Sequence, residues 1–230
     1  MRIEGFIGHK QCRPRRQYSI EPGREVGRHL YSGNRVRIYL STFGARFALG
    51  RTDGGDGQID PGLLRRALDA LQQHHDRISY RDFIGVADFS LPSRAPRFHL
   101  VNLADSSVRS HLVAHGRGSD PAHTGWLERF SNEPHSNATS AGAYVTGSLY
   151  VGAHGRSMRL EGLDATNSNA LSRAIVVHGA WYVNEEMIGH SGMLGRSQGC
   201  FAVANSSLPE IVARLGPGRL IYADNGKVAA

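Results

Sequence analysis

The sequence predicts a mainly β domain, a sandwich or barrel, with one helix ahead of it and another close to its end. Three observations support this. From Asp82 onward, short runs of β-branched and aromatic residues alternate with clusters of Gly, Pro, Asn and Ser, which is how all-β folds read. Ahead of them, Asp60-Pro61 pairs an N-cap acceptor with a proline at the first helical position. Near the end, Ser207-Leu208-Pro209-Glu210 has the form of a capping box before an apolar face.

In chain order, residues 1–58 show no sustained periodicity and finish in Gly54-Gly55-Asp56-Gly57, so they read as an irregular leader or linker with at most a short strand at Val36 to Leu40. The Asp56-Gly57-Gln58-Ile59 piece resembles part of a calcium loop but has Leu63 where the bidentate Glu belongs. The folded domain is expected over 59–226. In its first helix, Leu63, Leu64, Ala67, Leu68 and Leu71 share one face opposite Arg65, Arg66, Asp69 and Gln72. His74 and His75 at its end are expected to complement the helix dipole.

Seven strands are expected: Phe83 to Phe89, Arg97 to Leu103, Val108 to Ala114, Ala143 to Tyr150, Ser157 to Leu160, Ala174 to His178 and Leu220 to Tyr222. Between His115 and Ser140 lies a long polar loop. Loops of this length are lids, binding loops or disordered, and Trp126 and Phe130 favour order. After the capping box, Leu208, Ile211, Val212 and Leu215 form a core face that Gly216 closes.

Charge is unevenly spread. Residues 1–51 carry 11 Lys+Arg and 3 Asp+Glu (net +8), and residues 52–230 carry 16 and 17 (net −1). The basic character therefore belongs to the leader. With no basic face on a folded module, nucleic acid is not an expected partner. No run reaches transmembrane length, and Tyr39 to Gly50 is broken by Arg46. Arg15-Arg16 hints at a twin-arginine export signal, but the Glu, Pro, Gly and Arg that follow do not make an h-region, so no signal peptide is recognised. Of the two cysteines, Cys12 and Cys200, a disulfide would tie a reactive-looking turn to the leader; two free thiols is the preferred reading.

The chemistry concentrates between Arg173 and Val203. The apolar run Ala174 to Val177 ends on His178-Gly179, which presents an imidazole at the rim of a sheet. About twenty residues later, Gly195-Arg196-Ser197-Gln198-Gly199-Cys200 forms a turn before another apolar run. A thiol and an imidazole on neighbouring elements are the minimal parts of a cysteine nucleophile, because the thiolate is the active species. The N–H groups of Gly199 and Cys200 are expected donors to an oxyanion. The Gly179 carbonyl could fix the tautomer of His178. His190, in a Gly/Ser/Met segment, is a rival base. His111 and His115 raise a metal hypothesis, but on a strand their spacing keeps them apart and no Glu follows His111, so no metal or cofactor is expected.

The pattern His178-Gly179 with Ser197-x-Gly199-Cys200 resembles the signature of the L,D-transpeptidases, the YkuD-like murein transpeptidase catalytic domains, and is closest to the branch that reads Arg-Ser-x-Gly-Cys-x-Ala-Val. The resemblance runs from about Phe83 to Tyr222. It departs from the commoner form at Gln198, Ala202 and Val203. It implies a YkuD-like β-sandwich or barrel, with Cys200 as nucleophile and His178 as general base. Gly199, Ser197 and Gly179 would shape the site, and Arg196 would grip a substrate carboxylate. It also implies peptidoglycan stem peptides as partners, a thioester intermediate resolved by an amine, and a place in the cell envelope. Resolution by water would give an L,D-carboxypeptidase. A non-catalytic wall-binding module is the remaining alternative.

Overall fold

The computed structural model describes residues 59–226, so the leader, Cys12 and the Val36 to Leu40 strand lie outside the described residues. Helix α1 (Pro61–Gln73) starts as its sequence dictates: the Asp60 side chain accepts the Leu63 N–H at 2.7 Å, with Pro61 in the first turn. Leu63, Leu64, Ala67, Ala70 and Leu71 are buried, and Leu68 at the edge of the same stripe is half-buried. The expected dipole role of His74 gives way to a tertiary contact, since its Nε2 lies 2.8 Å from Asp164 Oδ1.

Among the described residues nine strands follow: β1 (Phe83–Asp88), β2 (Phe98–Asn102), β3 (Val108–His111), β4 (Val113–Ala114), β5 (Gly142–Gly152), β6 (Gly155–Gly162), β7 (Val176–Ala180), β8 (Phe201–Ala204) and β9 (Leu220–Asp224). They form one sheet in the order β3-β2-β1-β9-β5-β6-β7-β8-β4. Pairing is antiparallel except for β1 with β9 and β7 with β8. The run expected as a single strand, Val108 to Ala114, is two strands at opposite ends of this order, separated by Leu112 alone. One residue reaches only about 7 Å between its neighbours. The sheet must therefore curl until its two edges approach each other at Leu112, although β3 pairs only with β2 and β4 only with β8.

Alternation divides the strands between two faces. The inner face brings together Ala87, Phe98, Leu100, Tyr144, Met158, Leu160, Val177, Phe201, Val203 and Ile221. Each fully buried Phe, Leu or Met contributes roughly 1.5–3 kcal/mol. Outside, α1 covers Ile84, Val86, Val101, Ala143 and Leu220.

Helix α3 (Leu208–Arg214) drives Leu208, Ile211 and Val212 into the inner core. Its capping box does not form: Ser207 has helical φ and ψ and makes no side-chain cap bond. Glu210 is drawn outward instead, and accepts from Arg109 Nη1 at 3.0 Å. Helix α2 (Glu185–Ser191) is a short element that hydrophobic periodicity does not announce, because none of its residues is buried.

Candidate active site

Strands β7 and β8 run parallel with His178 opposite Ala202 and Val177 opposite Phe201. Cys200 lies one residue before β8. Carried one residue past the paired positions, the register sets Cys200 beside Val176 on the side of the sheet that His178 takes, and its Sγ donates to the Ala174 carbonyl at 3.6 Å. Both residues are buried, His178 at 2% and Cys200 at 9% exposure.

The backbone beside each group sets its protonation. His178 Nδ1 lies 2.9 Å from the Gly179 carbonyl, which can only accept. Nδ1 therefore carries the proton, and in the neutral ring Nε2 holds the lone pair. Burial lowers the proton affinity of His178, the Gly179 bond opposes this, and the charge of His154 adds to the lowering, so the ring's pKa falls below its ordinary value. At Cys200 burial pushes the thiol up, and a bond from Val176 and the charge of Arg173 only partly offset it. The resting pair is a neutral thiol and a neutral imidazole.

Ser197 builds the turn between them. Its Oγ donates to the Cys200 carbonyl at 2.7 Å and accepts the Gly199 N–H at 3.1 Å. That second bond corrects an expectation: the Gly199 amide is committed within the turn and is not left for an oxyanion. Gly199 itself is required, since its φ is +114° and a Cβ there would lie 2.8 Å from the Ala138 carbonyl oxygen. Gly116 approaches from the other side, where a Cβ would meet the Gly199 nitrogen at 2.7 Å. The Ser197 N–H donates to the His115 carbonyl at 2.9 Å and its carbonyl accepts from Arg117 at 2.8 Å, so the turn is stitched to the long loop.

That loop lines one side of the turn. Its anchor is a buried chain of polar groups with no signal in the sequence. Arg97, fully buried, donates from Nε and Nη2 to the Val113 carbonyl, from Nη1 to the Leu91 carbonyl at 2.7 Å, and from Nη2 to His115 Nδ1 at 2.7 Å. With Nδ1 accepting, His115 carries its proton on Nε2, 3.3 Å from Asp120 Oδ2. Asp120 also accepts the N–H groups of Thr124 and Gly125. Burial, reinforced by the charge of Arg97, holds His115 down at about 4. His115 is thus a structural hinge of the wall; His111 lies elsewhere, 3.8 Å from Glu210. Among the described residues no group of three or more His, Cys, Asp or Glu side chains could hold a metal ion.

Arg173 supports the other flank. Its Nη1 donates to the Ser131 carbonyl at 2.8 Å and Ser140 Oγ at 2.7 Å, and its Nη2 to Ser136 Oγ and the Ala138 carbonyl. This guanidinium fastens the end of the loop and presents a positive charge to Cys200. Tyr182 packs on Gly195, and its hydroxyl is pushed up to about 12 by burial and the nearby Cys200. Neither residue stood out in the sequence, because their partners are distant along the chain or lie in backbone.

Arg196, expected to bind a carboxylate, turns its Nη1 onto the carbonyls of Asp120 and Pro121. It closes the wall over the turn, since carbonyls that face away from any strand need donors. His190 sits exposed in the last turn of α2 rather than in a loop. Against the outer side of His178 lies His154, from the turn between β5 and β6, with ring centroids 4.3 Å apart and planes at 18°.

The model of the L,D-transpeptidase catalytic domain family matches residues 56–223. No curated protein matches the chain. Solved structures with a likeness include an L,D-transpeptidase from Mycobacterium smegmatis (14% identity, 62% of this chain and 58% of that one, TM-score 0.38). Others are L,D-transpeptidase 1 of Mycobacterium tuberculosis (16%, 61% and 60%, 0.35) and the helical cell shape determining protein Pgp2 of Campylobacter jejuni (12%, 70% and 56%, 0.41). The chain spans under two thirds of the length of each.

Proposed function

Because the chain belongs to the L,D-transpeptidase catalytic domain family, we propose that residues 59–226 are a cysteine acyltransferase domain acting on peptidoglycan stem peptides in the cell envelope. The observation that carries this reading is the shared outer face of Cys200 and His178, with His178 Nδ1 committed to Gly179 so that its basic nitrogen is Nε2.

The course follows from those groups. His178 Nε2 takes the Cys200 proton as sulfur attacks the peptide carbonyl that follows an L-centre residue. The Cys200 N–H, at the mouth of the turn, is the donor we assign to the oxyanion. As the tetrahedral intermediate collapses, the imidazolium gives its proton to the leaving amine of a terminal D-amino acid, and a thioester remains on Cys200. An amine of a second stem attacks the thioester, its proton passes to His178, and a cross-link forms with the thiol restored. Arg173 stabilises the thiolate as it develops, and Ser197 keeps Cys200 aimed.

The test is product analysis by mass spectrometry after incubation with a tetrapeptide-stem muropeptide. Cross-linked dimers formed by the wild type, and by neither Cys200→Ala nor His178→Ala, are expected. Release of a tripeptide stem alone would make the same site a carboxypeptidase, and unchanged substrate with every protein would overturn the assignment.

A further inference from the structure

The site has a residue that neither the signature nor the mechanism above uses. His154 occupies the turn of the β5–β6 hairpin, and its ring lies against that of His178 at 4.3 Å and 18°. The turn residue is exposed whereas His178 is buried. An exposed imidazole at a hairpin tip has several open rotamers, so a parallel stack on a buried ring needs a hairpin that delivers it there.

The hairpin is built to do so. Gly152 pairs with Gly155, leaving Ala153 and His154 at the tip, and Gly155 at φ +71° is the left-handed residue that closes the hairpin after them. Ser157 pairs directly with His178 across β6 and β7, and its Oγ donates to the Gly155 carbonyl at 3.2 Å. The residue beside the base therefore holds the turn that carries His154. Lower in the hairpin, the Arg159 guanidinium lies 4.2 Å over the Tyr150 ring.

We propose that His154 is a positioning residue for acyl transfer: its flat ring, stacked on His178, holds the imidazole plane in which Nε2 receives and returns the Cys200 proton. This rests on His178 being the base. The Nδ1 bond to Gly179 fixes one edge of the ring, and the stack on its face fixes the plane. General-base catalysis is sensitive to such misalignment, because the acceptor lone pair must point at the proton that it takes. When His178 becomes cationic in each turnover, a neutral aromatic face against it is favourable, and the charge of a protonated His154 opposes it.

The experiment uses the full chain and steady-state turnover of the tetrapeptide-stem muropeptide by wild type, His154→Ala, His154→Phe and His178→Ala, with thermal melts of each. His154→Ala is expected to lower kcat at least tenfold with KM within twofold and an unchanged melt, and His154→Phe to recover most of that loss by restoring a flat ring. With His178→Ala inactive, a kcat for His154→Ala within twofold of wild type would overturn the proposal, as would a His154→Phe variant no better than His154→Ala. Wild-type turnover by His178→Ala would overturn the base assignment and the proposal together.

Discussion

Ser197 Oγ donates to the carbonyl of Cys200 at 2.7 Å and takes the Gly199 N–H at 3.1 Å, so one buried hydroxyl closes the turn that carries the thiol. Removing it leaves a donor and an acceptor unpaired at the point where Cys200 must be aimed. Ser197→Ala is expected to cost about 1–3 kcal/mol of stability and to lower kcat more than it raises KM. Urea denaturation and steady-state kinetics check both.

Gly199 and Gly116 meet backbone to backbone. Gly199→Ala would put a Cβ 2.8 Å from the Ala138 carbonyl oxygen at a φ of +114°, and Gly116→Ala one 2.2 Å from that of Asn137. Strain of this kind costs on the order of 1–3 kcal/mol at a single residue. Both variants are expected to melt at lower temperature than wild type. By contrast Gly189→Ala, which lies within α2 and meets nothing within 4 Å, is expected to raise the melt slightly, since alanine is favoured over glycine in a helix by about 0.5–1 kcal/mol.

The neutral Cys200 and His178 pair predicts how the site responds to pH. Burial raises the thiol and lowers the imidazole, so the thiolate forms only as His178 accepts its proton. Turnover is expected to fall on the acid side with a midpoint below the ordinary histidine value of about 6.5. Alkylation of Cys200 by iodoacetamide is expected to keep rising through the alkaline range. A fast alkylation plateau near pH 6 would mean a preformed ion pair, and would contradict this reading.

Stability should also depend on pH. His115 and His99 are each held at about 4 by burial, the first also by the charge of Arg97. Their unfolded value is about 6.5. Between these limits the unfolded chain binds more protons than the folded one. The stabilisation is therefore complete above about pH 6.5 and drains away as pH falls toward 4, with a slope of at most about 1.4 kcal/mol per pH unit for each histidine. Urea denaturation at several pH values in that window measures the slope, and His115→Gln is expected to flatten it.

How much of this the sequence revealed depended on how local each cause was. Helix α1 was legible because Asp60 caps it and Pro61 opens it, both within one turn. Most strands were legible as short apolar runs, but β8 (Phe201–Ala204) was not among those expected, because its four residues are buried on both faces and show no alternation. Val108 to Ala114 read as one element, since alternation reports which face a residue takes, not which neighbour its strand finds, and Leu112 joins opposite sheet edges. Helix α2 escaped because it buries nothing. The capping box at Ser207 failed because Glu210 found Arg109, 101 residues away.

At the site, Cys200, His178 and Ser197 stood out through the His-Gly and Ser-x-Gly-Cys pattern and the family resemblance that it carries. Arg97, His115, Asp120 and Arg173 did not. The two arginines bond mostly to backbone carbonyls, His115 reaches Arg97 from 18 residues away, and Arg173 reaches the loop from more than 30 residues away. Nothing in the identity of such partners marks them. The same reason made Arg196 look like a substrate ligand when loop carbonyls hold it.

The central claim is that Cys200 carries the acyl group. Intact mass spectrometry of the purified protein during incubation with a tetrapeptide-stem muropeptide tests it directly, with Cys200→Ala as control. A transient gain equal to the acyl fragment, absent in Cys200→Ala, is the predicted result. Substrate consumption by the wild type with no adduct at any time, and the same consumption by Cys200→Ala, would contradict it.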